Sequence, residues 1–361
     1  MTRALPAVRR LVVKVGTTSL TDASGRLDDD QVRALAGELS EARRAGIACA
    51  FVSSGAIAAG LDPLSLGKRP ADIPTLQAAA SVGQGILMHA YQRAFARRKV
   101  PVGQVLLTQD DFVRRKGYLN AHNALERLLA LGVVPIVNEN DTVAVDEIRF
   151  GDNDRLAALV SIMVRADLLV LLSDVDGVYS DDPKRKGARL LPKVDDAASL
   201  KLGGKGSPLS SGGMASKIES VRIAASAGCG VVIANGRAPR VLSQILGGEE
   251  VGTFFPPHRA RGRHRKLWIE FVQNPRGRVE VDEGARAALV ERGKSLLPAG
   301  VTGFSGTFLS GDAVEVAGPD GTVFARGLIN YAADEMSAIM GSSIRDGGRE
   351  VIHRDQMVIL R

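Results

Sequence analysis

The sequence predicts an α/β protein with an open, mostly parallel sheet covered by helices on both faces, followed by a small β-rich domain. Two observations lead to this prediction. Up to about residue 250, short continuous apolar runs alternate with segments of helical periodicity, which is typical of parallel strands buried on both faces. Beyond that point the runs become short and alternating, with Gly and Asp between them, as in β-rich domains.

Six apolar runs are predicted to be the strands of the first domain: LVVKVG (11–16), IACAFVS (47–53), GQVLLT (103–108), VVPIV (133–137), LLVLL (168–172) and GVVIA (230–234). Helical patterns lie between them, at 28–46, 75–98, 118–131, 154–165 and 214–227. Ligands of such sheets bind at the carboxyl ends of the strands. We therefore expect the functional residues in the loops that follow the strands.

The second domain is predicted from four segments with the period of strands: WIEFV, RVEVD, GTFLSGDAVEV and TVFARGLI. One short helix is predicted near 283–292. A basic segment, HRARGRHRK (258–266), precedes these strands. We predict a first domain at 1–257, a basic linker at 258–275 and a second domain at 276–361.

Composition limits the class of protein. The chain has 361 residues, too many for one ordinary core, and is 45% hydrophobic and 24% charged, as in soluble globular proteins. No apolar run approaches the roughly 20 residues of a membrane span, and the N-terminus lacks the features of a signal peptide. Cys49 and Cys229, far apart in apolar segments, indicate reduced structural thiols and a cytoplasmic protein. The five His and two Cys have no metal-ligand spacing.

The net charge of +7 raises the question of nucleic acid binding, but the distribution of the charge argues against it. Five basic residues lie in 258–266, whereas residues 276–361 contain ten basic and twelve acidic residues. We interpret the basic segment as a solvated linker. Binding of nucleic acid through the second domain is an alternative that we do not expect.

Two common nucleotide-binding motifs fail in this sequence. A P-loop ending at GKS (293–295) would need Gly at position 288, which is Ala288. The G-x-G starts at Gly83 and Gly228 lack the third Gly of the dinucleotide motif. The sequence therefore excludes a P-loop NTPase and a dinucleotide enzyme.

The loops after the strands are rich in groups that bind charged ligands. Residues 138–155, NENDTVAVDEIRFGDNDR, contain four Asp, two Glu and three Asn but only two Arg. The first strand contains Lys14, and SGGMASK (211–217) is a Gly-rich turn that opens a helix with a lysine in its first turns. These groups predict a site for a phosphorylated ligand and for a second ligand that is cationic or binds a metal.

The order and spacing of five motifs resemble the amino acid kinase family: KVGTTSL, SSGAIAAG, NENDTV followed by GDND, LLSDVDGVYSDDP, and SGGMASK. More narrowly, they resemble the branch that phosphorylates the γ-carboxylate of L-glutamate with ATP in the first step of proline biosynthesis. VDEGARAALVERGKSLLPAGV, FSGTFLSGDAVEV and HRDQMVI are similar to the PUA domain of bacterial members of that branch. The resemblance covers nearly the whole chain. Ser173 stands where such enzymes often have Thr, and the hydroxyl is kept.

The resemblance implies particular catalytic and substrate-binding residues. The catalytic residues would be Lys14, Asp154 and Lys217. The residues in contact with L-glutamate would be Ser54, Asp141 and Asn153. Asp154 would lie between the two lysines and hold their ammonium groups in place. The substrate ammonium needs carboxylate and amide oxygens, and the NENDT segment (138–142) supplies them.

The resemblance also implies a nucleotide site and further partners. The nucleotide-binding residues would be Lys14, Ser173, Asp174, Ser211, Gly212, Gly213, Met214, Ala215, Ser216 and Lys217. ATP would bring Mg²⁺, held mainly by the nucleotide, so no metal site formed by the protein alone is expected. Inhibition by L-proline, a homo-oligomer and functional coupling to glutamyl phosphate reductase are further implications.

Other interpretations compete with this one. Asp154 could merely cap the helix that begins LAALV, and the 138–155 loop could be a solvated acidic turn. Within the family, the substrate of N-acetylglutamate kinase has no ammonium for the acidic loop, and carbamate kinase and aspartokinase match the loop and tail less well. From another class, the chain could be a PUA-type RNA-binding protein with a vestigial kinase domain. The near-neutral second domain and the intact lysine pair argue against that.

Overall fold

A computed structural model describes residues 3, 5–143, 153–183, 185–200, 212–258, 275–342 and 349–360. The chain divides into two compact units, Met1–Ala260 and Arg261–Arg361. The predicted linker at 258–275 lies almost wholly outside the described residues, and the predicted strand WIEFV lies wholly outside them. The exact domain bounds at 257 and 276 therefore stay a prediction.

A seven-stranded sheet forms the centre of the first unit, in the order β3-β4-β2-β1-β5-β6-β7. Its strands are β1 (Arg10–Val15), β2 (Ala48–Ser53), β3 (Val102–Leu107), β4 (Val134–Glu139), β5 (Leu168–Ser173), β6 (Gly230–Asn235) and β7 (Thr253–Phe255). All neighbours are parallel except β7, which runs antiparallel to β6. The six predicted strands and the mostly parallel sheet are confirmed, and β7 is an additional edge strand.

Helices cover both faces of this sheet. Those described are α1 (Thr17–Leu20), α2 (Asp29–Arg44), α3 (Ala56–Leu61), α4 (Ile73–Ala96), α5 (Gln109–Val113), α6 (Arg115–Ala130), α7 (Asn153–Met163), α8 (Gly212–Ser226) and α9 (Val241–Leu246), with a 3-10 turn at Ala197–Ser199. The five helices predicted from periodicity are confirmed as α2, α4, α6, α7 and α8. Their ends follow local chemistry: the Asp28 carboxylate accepts hydrogen bonds from the backbone N–H groups of Asp30 and Gln31 and so starts α2.

The strand order determines where a ligand can bind. From the central strand β1 the chain first builds the sheet on one side, through β2, β3 and β4, and then crosses to the other side with β5 and β6. At such a reversal the loops after the two adjacent strands separate and leave a crevice at the carboxyl edge. The loops after β1 and β5 therefore flank the expected site.

Helices α3 and α4 pack with their backbones in direct contact. A Cβ atom at Gly60 would lie 1.9 Å from the carbonyl oxygen of Ala79, and one at Gly83 would lie 1.8 Å from that of Ala56. Both distances are far shorter than carbon and oxygen atoms tolerate, so only glycine fits at either position. This glycine contact holds α3 and α4 against each other, and the loop at 62–72 joins these two helices.

Helix α4 is the longest of the described helices, with 24 residues. Its Tyr91 and Phe95 are buried against the sheet, where the Tyr91 hydroxyl lies 2.7 Å from the Ser53 hydroxyl at the end of β2. Neither α4 nor any other described helix combines the length and the apolar composition needed to cross a lipid bilayer.

The second unit contains a five-stranded sheet in the order β12-β11-β10-β8-β9. Its strands are β8 (Gly277–Val281), β9 (Val301–Gly306), β10 (Ala313–Ala317), β11 (Val323–Leu328) and β12 (Met357–Ile359). Its described helices are α10 (Glu283–Val290) and α11 (Ala333–Ile339), with 3-10 turns at Pro298–Gly300 and Arg354–Gln356. The small β-rich domain and its short helix are confirmed.

One strand of this unit differs from the prediction. The segment GTFLSGDAVEV was expected to begin with a strand, but β9 ends at Gly306 and only AVEVA forms the next strand, β10. Gly306 has a φ of 94°, and the Asp312 carboxylate accepts a hydrogen bond from the backbone N–H of Leu309. These two features turn the chain between the strands.

Candidate active site

Two lysines and one aspartate from three different elements meet at the carboxyl edge of the large sheet. Lys14 lies on the central strand β1, Asp154 in the first turn of α7, and Lys217 on α8. The Lys14 ammonium lies 2.7 Å from Oδ1 of Asp154. The Lys217 ammonium donates a hydrogen bond of 3.0 Å to Oδ2. Asp154 thus lies between the two predicted lysines, with one oxygen for each.

This Lys14–Asp154–Lys217 cluster is shielded from water, since its side chains are 7%, 7% and 11% exposed. Burial alone would raise the pKa of Asp154, but the charges and hydrogen bonds of the two lysines outweigh burial and lower its pKa below the ordinary value. With all three groups ionised, the cluster has a net charge of +1. Because charges interact more strongly where water is excluded, such a cluster attracts an anion.

A cleft of about 200 Å³ opens next to the cluster. Its lining residues come from the segments that follow β1, β2 and β4, from the start of α7 and from the loop at 62–72: Thr17, Ser54, Gly55, Ala56, Ile57, Ala58, Arg69, Asn138, Glu139, Asp141 and Asn153. Asn153 directly precedes Asp154, so the cleft and the cluster adjoin. All three predicted substrate-binding residues, Ser54, Asp141 and Asn153, line this cleft.

Three side-chain amides form a hydrogen-bonded chain that ends at the cleft. Nδ2 of Asn138 donates to Oε1 of Gln84 at 2.9 Å, and Nδ2 of Asn153 donates to Oδ1 of Asn138 at 3.0 Å. Nδ2 of Asn153 also donates to the hydroxyl oxygen of Ser54 at 2.9 Å. This amide chain links α4, β4, α7 and the loop after β2 behind the cleft wall.

One backbone group fixes the orientation of the amide chain. The N–H of Glu139 donates to Oδ1 of Asn138 at 2.9 Å, and a backbone N–H can only donate. The amide nitrogen of Asn153 must therefore face Oδ1 of Asn138. This leaves Oδ1 of Asn153 buried and without a hydrogen-bond partner among the described residues. Because Asn153 is one of the residues that line the cleft, this unpaired oxygen is a candidate acceptor for an N–H donor of a ligand.

Asp141 supplies a second acceptor to the same cleft. Burial raises the pKa of Asp141 to about 6, although the positive charge of Arg69 lowers it. The carboxylate forms no ion pair with any described residue. A partly buried carboxylate with a raised pKa in a cleft is typical of a functional site. A bound cation would compensate the cost of its burial.

Apart from Lys14 on β1, the described residues predicted to bind the nucleotide lie at the end of β5 and the start of α8. The buried hydroxyl of Ser173 donates to Oδ1 of the exposed Asp174 at 3.0 Å. Residues 212–217 form the first turns of α8, and Lys217 reaches the cluster from there; Ser211 lies outside the described residues. The N-terminus of a helix of this length favours an anion. Among the described residues, no three His, Cys, Asp or Glu side chains converge to hold a metal ion.

The site also includes Gln84 and Arg69, which were not predicted from the sequence. Gln84 lies in a helix whose pattern indicates only a core element, and Arg69 lies in a loop between helices that resembles an ordinary solvated connection. Gln84 meets Asn138, and Arg69 comes near Asp141, only in the folded chain. The one signal in the sequence was the excess of Asp and Glu over Arg in residues 138–155, which indicates that a cationic side chain from another segment lies near them.

Comparison with known proteins identifies the family to which the chain belongs. The sequence pattern of the amino acid kinase family matches residues 9–235, and that of the PUA domain matches residues 277–346. The chain therefore belongs to the amino acid kinase family, and the protein is a phosphotransferase. The family resemblance inferred from the five motifs is confirmed.

Relatives that match nearly the whole chain are named glutamate 5-kinase. The glutamate 5-kinase of Streptomyces coelicolor is 51% identical over 370 residues, covering 99% of this chain and 98% of that protein. The proteins of the same name from Streptomyces avermitilis and Salinispora arenicola are 49% identical. Both alignments cover 98% of this chain, and they cover 97% and 98% of those proteins.

Proposed function

We propose that the protein transfers the γ-phosphoryl group of ATP to the γ-carboxylate of L-glutamate, giving γ-glutamyl phosphate for proline biosynthesis. The observation that supports this most directly is the buried Lys14–Asp154–Lys217 cluster beside a cleft with two acceptors for an ammonium. The names of the full-length relatives support the same acceptor. We further propose that L-proline inhibits the enzyme by placing its own amine in this cleft.

The chemistry needs charge compensation rather than a base. The acceptor carboxyl has an unperturbed pKa of about 4.3 and is already ionised at pH 7. The difficulty is that one anion must approach another: at about 4 Å, two unit charges repel by roughly 4 kcal/mol at an effective dielectric constant near 20. Lys14 and Lys217 offset this repulsion and stabilise the charge on the transferred group. Asp154 keeps both ammonium groups in position.

The acceptor is oriented by its ammonium. The Asp141 carboxylate and Oδ1 of Asn153 accept hydrogen bonds from the α-ammonium, and the Ser54 hydroxyl contacts the substrate from the end of β2. The amide chain behind Asn153 prevents its side chain from turning its nitrogen toward the cleft. N-acetyl-L-glutamate has no ammonium and cannot use these acceptors in the same way.

The nucleotide binds between the end of β5 and the start of α8. Its phosphates lie against the N-terminal turns of α8 and the two lysines, and Ser173 and Asp174 line its site. Mg²⁺ prefers several oxygen ligands and commonly combines one or two carboxylates with substrate phosphates. The exposed carboxylate of Asp174 could provide one protein ligand to a Mg²⁺ ion whose other ligands come mainly from the nucleotide. Such an ion supplies additional positive charge to the phosphoryl group.

The acyl phosphate product provides the direct test. Hydroxylamine traps acyl phosphates, so ATP-dependent hydroxamate formation can be compared for L-glutamate, N-acetyl-L-glutamate, L-aspartate and carbamate. We expect L-glutamate to be the preferred acceptor. Equal or greater activity with any of the other three acceptors would contradict the proposal.

Asp141→Asn is expected to weaken the binding of L-glutamate but not that of ATP. The change removes a charge-assisted hydrogen bond worth about 1.5–3 kcal/mol, so the KM for L-glutamate should rise about tenfold to hundredfold. The KM for ATP should hardly change, and inhibition by L-proline should weaken in parallel. The matched control is Asp62→Asn, which alters an exposed carboxylate that does not line the cleft. The assignment would be refuted if Asp141→Asn raised the KM for ATP and left the KM for L-glutamate unchanged.

The kcat/KM for L-glutamate is expected to depend on pH through Asp141. Its pKa in the free protein is raised to about 6, and only the ionised form pairs with an ammonium. The value of kcat/KM should therefore fall about tenfold per pH unit below about pH 6. In Asp141→Asn this fall should disappear, while titrations of ATP or of the γ-carboxylate remain in both profiles. Two superimposable profiles would contradict the role of Asp141.

Removal of residues 276–361 is expected to leave a folded, active kinase. Every residue assigned to the site lies in the first unit, which has its own core and a complete sheet. Circular dichroism and cooperative thermal unfolding would establish that the shortened chain folds. A soluble, folded chain without any kinase activity would show that the second unit completes the site.

A further inference from the structure

L-glutamate has three charged groups, and the residues considered so far account for two. Asp141 and Oδ1 of Asn153 accept from the ammonium, and the two lysines of the cluster face the γ-carboxylate. The α-carboxylate also loses water when it enters the cleft, and this loss is costly unless a cation or several N–H donors replace the water.

Arg69 is placed to supply that cation. Of the described residues that line the cleft, Arg69 alone has a positive charge. Its guanidinium forms no hydrogen bond or ion pair with any described residue, although its charge acts on Asp141. A guanidinium binds a carboxylate through two parallel N–H···O hydrogen bonds, which a single point charge cannot do.

The loop that contains Arg69 is fixed at both ends. The glycine contact holds α3 and α4, the two helices that the loop joins, against each other. At its start, the backbone N–H of Leu66 donates to the carbonyl of Leu61 at 2.9 Å. At its end, the Asp72 carboxylate accepts a hydrogen bond from the N–H of Thr75 and begins α4. Arg69 therefore lies on an anchored loop rather than on a free segment.

We propose that Arg69 binds the α-carboxylate of the acceptor and thereby restricts the enzyme to α-amino acids. This inference rests on the proposed function. Asp141 and Arg69 line the same cleft with opposite charges, and an α-amino acid presents an ammonium and a carboxylate on one carbon. The pair thus matches the zwitterion, whereas the cluster acts on the distant γ-carboxylate.

The first test compares the kinetic effects of substitutions at Arg69 with those of a substitution at the neighbouring Lys68. Arg69→Ala should raise the KM for L-glutamate about tenfold to hundredfold, because a hydrogen bond to a charged group is lost, and should leave the KM for ATP unchanged. Arg69→Lys keeps the positive charge but cannot form the two parallel hydrogen bonds. Its KM for L-glutamate should therefore lie between that of the unaltered protein and that of Arg69→Ala. Lys68→Ala removes an exposed neighbouring charge that does not line the cleft, and it should leave both KM values unchanged.

The second test uses a substrate that lacks the α-carboxylate. 4-Aminobutyrate is L-glutamate without its α-carboxylate, so Arg69→Ala should impair only the reaction of L-glutamate. The ratio of kcat/KM for L-glutamate to that for 4-aminobutyrate should fall about tenfold to hundredfold. An unchanged KM for L-glutamate in Arg69→Ala, or an equal loss for both substrates, would overturn the proposal.

The unaltered protein separates this proposal from the proposed function. If it forms no acyl phosphate from L-glutamate, the function itself is rejected, and the role of Arg69 with it. If it is active and Arg69→Ala behaves like Lys68→Ala, only the role of Arg69 is rejected.

Discussion

Lys217→Ala is expected to lower kcat by about two orders of magnitude or more. Lys217 is largely buried and donates to Oδ2 of Asp154, so its ammonium is held at one place at the edge of the sheet. The charge that it compensates grows as the phosphoryl group moves, and the loss should therefore appear in kcat. The KM for L-glutamate should change less, because Asp141 and Asn153, the proposed acceptors of the substrate ammonium, are separate from Lys217.

Steady-state kinetics with both substrates varied would measure this effect. Lys193→Ala is the matched control, since Lys193 pairs with Asp195 on the surface and its side chain is 55% exposed. The control should keep its kcat, and circular dichroism should show both variants folded. A near-normal kcat in folded Lys217→Ala would remove Lys217 from the catalytic residues.

Asp154→Asn is expected to cause the largest loss of stability. The change leaves two buried ammonium groups without their shared carboxylate, and an uncompensated buried charge costs about 3–5 kcal/mol. The free energy of unfolding should fall by this amount, and kcat should fall as well because the lysines lose their positions. Thermal and urea unfolding, together with kinetics, would measure both effects.

The double variant Asp154→Asn/Lys217→Met tests the cause of that loss. It removes one of the two uncompensated charges, so its free energy of unfolding should recover part of the loss seen in Asp154→Asn. The two substitutions should then be clearly non-additive, as expected for groups in direct contact. Additive effects would show that the stability loss has a cause other than the unpaired lysines.

The alternation of buried strands and helices was predictable from the sequence because it depends on local apolar periods. LVVKVG and LLVLL became β1 and β5, for example, with ends shifted by only a residue. The order of the strands was not predictable, since it depends on contacts between distant segments. The edge strand Thr253–Phe255 was missed because three residues are too few to show a period. In the second unit, the turn between Gly306 and Asp312 lies inside an apolar alternation and was misassigned as part of a strand.

The acid-rich loop and the lysines of the site were predictable for a different reason. A lysine inside an apolar strand and one in the first turns of a helix both conflict with their local surroundings, and Lys14 and Lys217 are such residues. Their meeting at Asp154 was inferred from family resemblance rather than from any local period. Gln84 and Arg69 fit their local surroundings without conflict. Only the folded chain, which brings Gln84 to Asn138 and Arg69 to the same cleft as Asp141, shows that they belong to the site.

The glycine contact between α3 and α4 has a consequence for engineering the acceptor specificity of this enzyme. Any side chain at Gly60 or Gly83 forces the two helices apart, and the loop at 62–72 must shift with them. Substitutions there would change the shape of the cleft indirectly and at a cost in stability. Libraries aimed at a new acceptor should therefore vary Arg69 and Asp141, which line the cleft, and keep both glycines fixed.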